Sequence, residues 1–175
     1  LSRYALEMVI RVLVLELIPL TAALFVAMRC TIPNGTQLAL LRQSGRFEQL
    51  RRLGADPVRV ELLPRAVAGV FACITLAALS CVVALVLAYL GVYGFSLAGL
   101  PSYTRMFGQV FAPAVTLVFV IKTLLFSLAV ALIPMAAGLY DTGERAQPDS
   151  ELGGLARMFA VLLLIEVGSL VGNYY

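Results

Sequence analysis

Residues Ala66–Tyr89 read AVAGVFACITLAALSCVVALVLAY, an apolar stretch without a single charge. As an α-helix rising 1.5 Å per residue, about 20 such residues cross the hydrocarbon of a bilayer. The apolar residues run continuously instead of alternating, which selects a helix over a barrel strand. Working outward, three more stretches have the required length: Val9–Met28, Ala112–Tyr140 and Leu155–Val171. They are less pure. The first carries Arg11, Glu16 and Pro19, the third span carries Pro113, Lys122 and Pro134, and the last carries Glu166. The two prolines of the third span predict kinks. The expected fold is an all-α integral membrane protein, a single domain over residues 1–175 with four transmembrane helices.

The composition agrees. Of the 175 residues, 61% are hydrophobic and 13% charged, against about 45–50% and about 25% in soluble domains. A chain this size leaves roughly a third of its surface outside, so lipid is the solvent that suits it. Histidine is absent, which removes the commonest general base and most zinc chemistry. Cys30, Cys73 and Cys81 show neither a disulfide framework nor metal-ligand spacing. Nothing fits Gly-x-x-x-x-Gly-Lys, so the chain is not expected to hydrolyse ATP or to be an enzyme at all. No cofactor and no metal are expected, and a net charge of +3 suggests no nucleic-acid partner.

Orientation follows from arginine. The segment between the first two spans, residues 29–65, holds seven: Arg29, Arg42, Arg46, Arg51, Arg52, Arg59 and Arg65. The next loop has Arg105 alone, and Asp141–Gly154 has Arg145, with Arg157 close by. Positive charge marks the cytoplasmic side, which places 29–65 and 141–154 inside and the two ends of this chain outside. Leu1–Arg11 is too charged for a signal peptide, and a cytoplasmic start then requires a further helix ahead of Leu1. Within the cytoplasmic segment, Phe47, Leu50 and Leu53 keep helical spacing up to Gly54 and the turn Ala55-Asp56-Pro57. This predicts a short amphipathic helix near residues 44–53, which either lies on headgroups or docks into a partner.

Several landmarks resemble the MlaE family of permeases, which work with MCE-type lipid carriers. Glu16-Leu17-Ile18-Pro19 is similar to the family's Glu-Leu-Gly-Pro, and Arg29 to the arginine that follows it. Leu53-Gly54-Ala55-Asp56-Pro57 and Pro64-Arg65 resemble its Leu-Gly-x-Asp-Pro and Pro-Arg. Ile121-Lys122-Thr123-Leu124-Leu125-Phe126 resembles Ile-Lys-Ser-x-x-Phe, Gly138–Asp141 a Gly-x-x-Asp exit, and Glu166 an acid in the last helix. Order and spacing match over nearly the whole chain. Departures mark a divergent member or one half of an unequal pair: Cys30-Thr31-Ile32-Pro33 replaces small residues, Gln37 an acid, and Gly45 a glutamate.

The resemblance implies a dimer of five-helix subunits in the bacterial inner membrane, the first helix of each lying ahead of this chain. It implies a cytoplasmic ABC ATPase below, an MCE lipid carrier above, and a lipid between the subunits. On that reading the helix near 44–53 is a coupling helix, with Arg46, Phe47, Glu48, Leu50 and Arg51 as its ATPase contacts, and Leu17, Leu20, Gln37 and Lys122 lie near the lipid cavity. Lys122 is the sole lysine and sits mid-span, where a charge costs about 2.5–3.5 kcal/mol on insertion scales. It is read as meeting a lipid headgroup, as pairing with Glu16 or Glu166, or as snorkelling to the interface. For Glu16 and Glu166, ion pairs or caps are expected in preference to catalysis. The function expected is a permease moving phospholipid or a similar lipid. The rival is a degenerate, non-transporting scaffold that anchors the ATPase and MCE partners.

Overall fold

A computed structural model describes residues 2–140 and 148–174. Among these residues all regular structure is helical: α1 (Ser2–Val12), α2 (Ile18–Val26), α3 (Ile32–Gln43), α4 (Arg46–Arg52), α5 (Leu63–Tyr93), α6 (Leu100–Val110), α7 (Pro113–Tyr140) and α8 (Pro148–Tyr174). Four continuous helical stretches are long and apolar enough to cross a bilayer: Glu7–Gln43, Val58–Tyr93, Pro113–Leu139 and Gly154–Gly172. The all-α membrane reading holds. Of the loop expected at Asp141–Gly154, residues 141–147, Arg145 among them, lie outside the described residues.

Proline sets both the starts and the irregularities. Pro101 and Pro113 stand in the first turns of α6 and α7, where no intrahelical N–H is needed. Pro113 therefore opens its helix and makes no kink, contrary to the expectation; Pro134 does lie inside α7. Pro19, Pro33 and Pro64 instead fall within continuous helical stretches. Each follows a π-helical turn by two residues: Leu13–Leu17, Ala27–Thr31 and Val58–Leu62. A proline ring collides with the carbonyl four residues back and offers it no N–H. A wider turn just ahead gives the ring room, so the helix continues.

This corrects the first boundary. Hydropathy ended the span at Met28 and began a loop at Arg29, yet the helix runs on to Gln43. The extension persists because one side of α3 is buried: Gly35 and Leu38 pack inward while Gln37 and Arg42 face out. Gly35 is there for close approach, since a Cβ on it would sit 2.6 Å from the Pro134 carbonyl oxygen of α7, and one on Gly138 would strike the Gly35 carbonyl. Arg42 donates to the Leu139 carbonyl near the end of α7. The helix stops at Gly45, whose φ of 75° is left-handed. α4 closes in the same way: the Gly54 N–H bonds Arg51 O at 3.0 Å and the Ala55 N–H bonds Leu50 O at 3.0 Å, a Schellman ending.

All four spans meet in one apolar cluster, with Ala23, Val26 and Ala27 from the first, Cys73 from the second, Phe126 and Val130 from the third, and Met158 and Leu162 from the fourth. A second cluster, Ile10, Val14, Leu15 and Val110, joins the first span to α6 at the end away from α4. Thr31, bulkier than the residue type expected there, fits because Gly69 faces it: a Cβ on Gly69 would lie 3.1 Å from Thr31 Cγ2.

The crossing of α3 and α7 yields a stability test. Gly138→Val is expected to lower stability in detergent by about 1–3 kcal/mol, the usual cost of overpacking. Gly91→Ala, which meets open space in α5, is expected to leave it unchanged or slightly raised. Thermal unfolding measures both, and equal melting of the two variants would contradict the close crossing.

Candidate functional site: an intramembrane lysine between two glutamates

Pro19 lacks the N–H that a regular helix would offer to Leu15 O, four residues back, or that a π turn would offer to Val14 O, five back. Both carbonyls find donors from other helices. Lys122 Nζ of α7 donates to Leu15 O at 3.2 Å. The Cys81 thiol of α5 points at Val14 O at 3.9 Å, a weak contact. The π turn also carries Glu16, whose Oε2 accepts from the same Lys122 ammonium.

Glu166 of α8 completes the site, with Oε2 2.9 Å from Lys122 Nζ. The sequence offered Glu16 or Glu166 as partner; the structure brings both. Lys122 is 2% exposed, so it neither snorkels nor reaches a headgroup. The stem is packed as well, with the ammonium 5.7 Å from the Phe126 ring centroid. The triad is bounded on one side by the four-span cluster, which begins one turn away at Phe126 and Leu162 and two turns away at Ala23. Val14 and Leu15 of the second cluster cover the other side. Such a site binds three helices together by charge. Its ammonium hydrogen-bonds Leu15 O and Glu16 and ion-pairs with Glu166, whose Oε2 makes no well-aligned hydrogen bond, and among the described residues no group of His, Cys, Asp and Glu has the makings of a metal site.

The other expected site residues are scattered. Leu17 is exposed on the first span, whereas Leu20 is half-buried against the four-span cluster. Gln37 is exposed on α3, about 30 Å along the helix from Leu17. With Lys122 enclosed, these four do not line one space within the chain. On α4, Arg46, Glu48 and Arg51 are exposed and Phe47 half-buried. Leu50, expected as a partner contact, is 7% exposed and serves this subunit's own packing. Leu53, at 79%, is the free apolar side chain at the end of α4. Spacing alone does not distinguish Leu50 from Leu53; the Schellman ending at Gly54 turns Leu53 outward.

Two substitutions test the triad. Lys122→Met leaves two facing carboxylates and is expected to cost about 3–5 kcal/mol of stability. Glu166→Gln keeps Lys122 paired with Glu16 and is expected to cost about 1–3 kcal/mol. Denaturant unfolding in micelles gives the order; Lys122→Met as stable as the parent would contradict the assignment.

No curated protein matches the chain. The family model described as Permease MlaE matches residues 1–171, and with them the π turn holding Glu16, the lysine of α7 and the acid of α8. The chain belongs to the MlaE permease family and is a multi-pass membrane subunit of a lipid ABC transporter, not itself an enzyme.

Proposed function

We propose that the chain pairs with a second permease subunit, identical or unequal, in the bacterial inner membrane. There it moves phospholipid or a similar lipid between the bilayer and an MCE-type carrier. ATP hydrolysis in a separate cytoplasmic subunit drives the movement. The observation that carries this reading is the family match over residues 1–171. The surface of the chain suits it. α5 presents Val67, Phe71, Leu79 and Leu87 outward, and the first span presents Val9, Val12, Leu13 and Leu17, apolar faces for lipid or a second subunit. Leu17 is the residue proposed to touch the transported lipid, with Leu20 behind it; Lys122 acts on the cavity only by holding the first span in place, and Gln37 lies toward the cytoplasmic mouth.

α4 is proposed as the coupling helix. It runs between glycine turns at Gly45 and Gly54, packed on its own subunit through Leu50, with Arg46, Glu48 and Arg51 as a polar rim around Phe47 and Leu53. It is continuous with α3 through one tight turn, and α3 is clamped to α7 by Gly35, Gly138 and the Arg42 bond. A push on α4 therefore reaches the helix that carries Lys122.

In proteoliposomes with the ATPase and the MCE partner, transfer of labelled phospholipid is expected to require ATP. Leu17→Trp is expected to slow it by about tenfold, equivalent to 1.4 kcal/mol. Undiminished transfer in Leu17→Trp would favour the scaffold reading. Phe47→Ala with Leu53→Ala is expected to weaken ATPase binding by about tenfold or more, whereas Leu50→Ala is expected to lower stability by about 2–5 kcal/mol. Unchanged pull-down of the ATPase by the double variant would refute the docking assignment.

A further inference from the structure

At the end of the bundle opposite α4 lies a cavity of about 550 Å³, lined by Glu7, Tyr93, Ser102, Arg105, Met106 and Gln109 among others. This is within the range of ligand pockets, about 300–1,000 Å³. Its depth in the membrane is set by the helix ends: Glu7 opens the first span, Tyr93 closes the second, and α6 leads into the third at Pro113. Tyr89, Tyr93 and Tyr103 cluster beside it, with Tyr89 and Tyr93 stacked at 5.4 Å and Tyr103 edge-on to Tyr89 at 5.2 Å. Tyrosines gather where the bilayer meets water, so the cavity lies at headgroup level.

The walls are fixed. The Tyr103 hydroxyl donates to Leu85 O at 2.8 Å; burial, and then the neighbouring Tyr93, push its pKa up, so it stays a donor. Val110 is buried with Ile10 and Val14. With α6 held by those residues, Ser102, Arg105 and Gln109, spaced three and four apart, share the side that faces the cavity. Glu7 faces them from α1. The cavity thus has a cation on one wall and an anion on another, and the ion pairs among the described residues do not join Glu7 to Arg105.

We propose that this cavity binds the headgroup of a zwitterionic phospholipid, a phosphate diester tethered to a primary ammonium. The Arg105 guanidinium takes the phosphate oxygens in its fork, with Ser102 and Gln109 as further donors. The Glu7 carboxylate takes the ammonium. The acyl chains run down the apolar outer surface beside it, where Met8 and Val9 are exposed. A headgroup with phosphate and no ammonium leaves Glu7 facing negative charge, so the site discriminates against anionic lipids. This site stands apart from the transported lipid and needs neither ATP nor partners.

The test uses the purified chain in nanodiscs containing equal phosphatidylethanolamine and phosphatidylglycerol, with retained lipids counted by native mass spectrometry. The parent is expected to hold phosphatidylethanolamine about tenfold over phosphatidylglycerol. Glu7→Gln and Arg105→Gln are each expected to abolish most of that preference, with melting temperature unchanged, while Arg105→Lys, a point charge without the fork, keeps only part of it. No preference in the parent, or a preference that survives both neutral variants, overturns the site. Lipid transfer by the assembled transporter is a separate readout: its failure with the retention preference intact would count against the permease reading alone.

Discussion

An ammonium ion in hydrocarbon has to be surrounded by acceptors or it does not stay there. Lys122 meets that demand with groups from two other helices: the Glu16 carboxylate and Leu15 carbonyl from the first span, and the Glu166 carboxylate from α8. Apolar side chains alone give membrane helices little reason to choose one partner over another, because lipid is as apolar as they are. The triad supplies the choice. It sets the rotation of α7 about its axis, and with it the approach of α3 to the far end of α7.

The short motif Glu16-Leu17-Ile18-Pro19 gains a physical meaning from this. Its glutamate is one ligand of the ammonium, and its proline releases the carbonyl that is another. The π turn at Leu13–Leu17 lets both occur without ending the helix. The same device returns ahead of Pro33, where it carries the first span past Arg29, and ahead of Pro64 at the start of α5. A chain with prolines in these places uses them to free backbone acceptors and to widen turns, so that helices 36 or 37 residues long remain continuous.

Most of this architecture could be read from hydropathy, because continuous apolar runs with few charges have one solution in lipid. The four spans and the membrane class followed directly. Lengths were harder. Arg29, Gln37 and Arg42 looked like the start of a loop, since polarity averaged along the chain hides which side of a helix each residue occupies; Gly35 and Leu38 on the other side keep α3 helical. The site was legible in its ingredients, as a lone lysine and two acids in apolar runs demanded partners, but not in its stoichiometry, which depends on rotation about three helix axes. Leu50 and Leu53 illustrate the same limit: equivalent in spacing, they are separated by a helix ending. The cavity at Glu7 and Arg105 escaped notice because its walls come from residues about a hundred positions apart, brought together by the packing of Val110 on Ile10 and Val14.

The two ends of the bundle are chemically unlike. One bears α4 and most of the arginines; the other bears the tyrosine cluster and the cavity with one charge of each sign. A membrane subunit driven by an ATPase on one side needs two unlike ends, and the account depends on the arginine-rich end facing the cytosol. Thiol labelling of intact cells decides this most directly, with single cysteines at Gln49 and Ser102 in a background where Cys30, Cys73 and Cys81 are replaced. The account predicts that an impermeant maleimide blocks Ser102→Cys from outside and reaches Gln49→Cys only after the membrane is opened. The reverse pattern would contradict it.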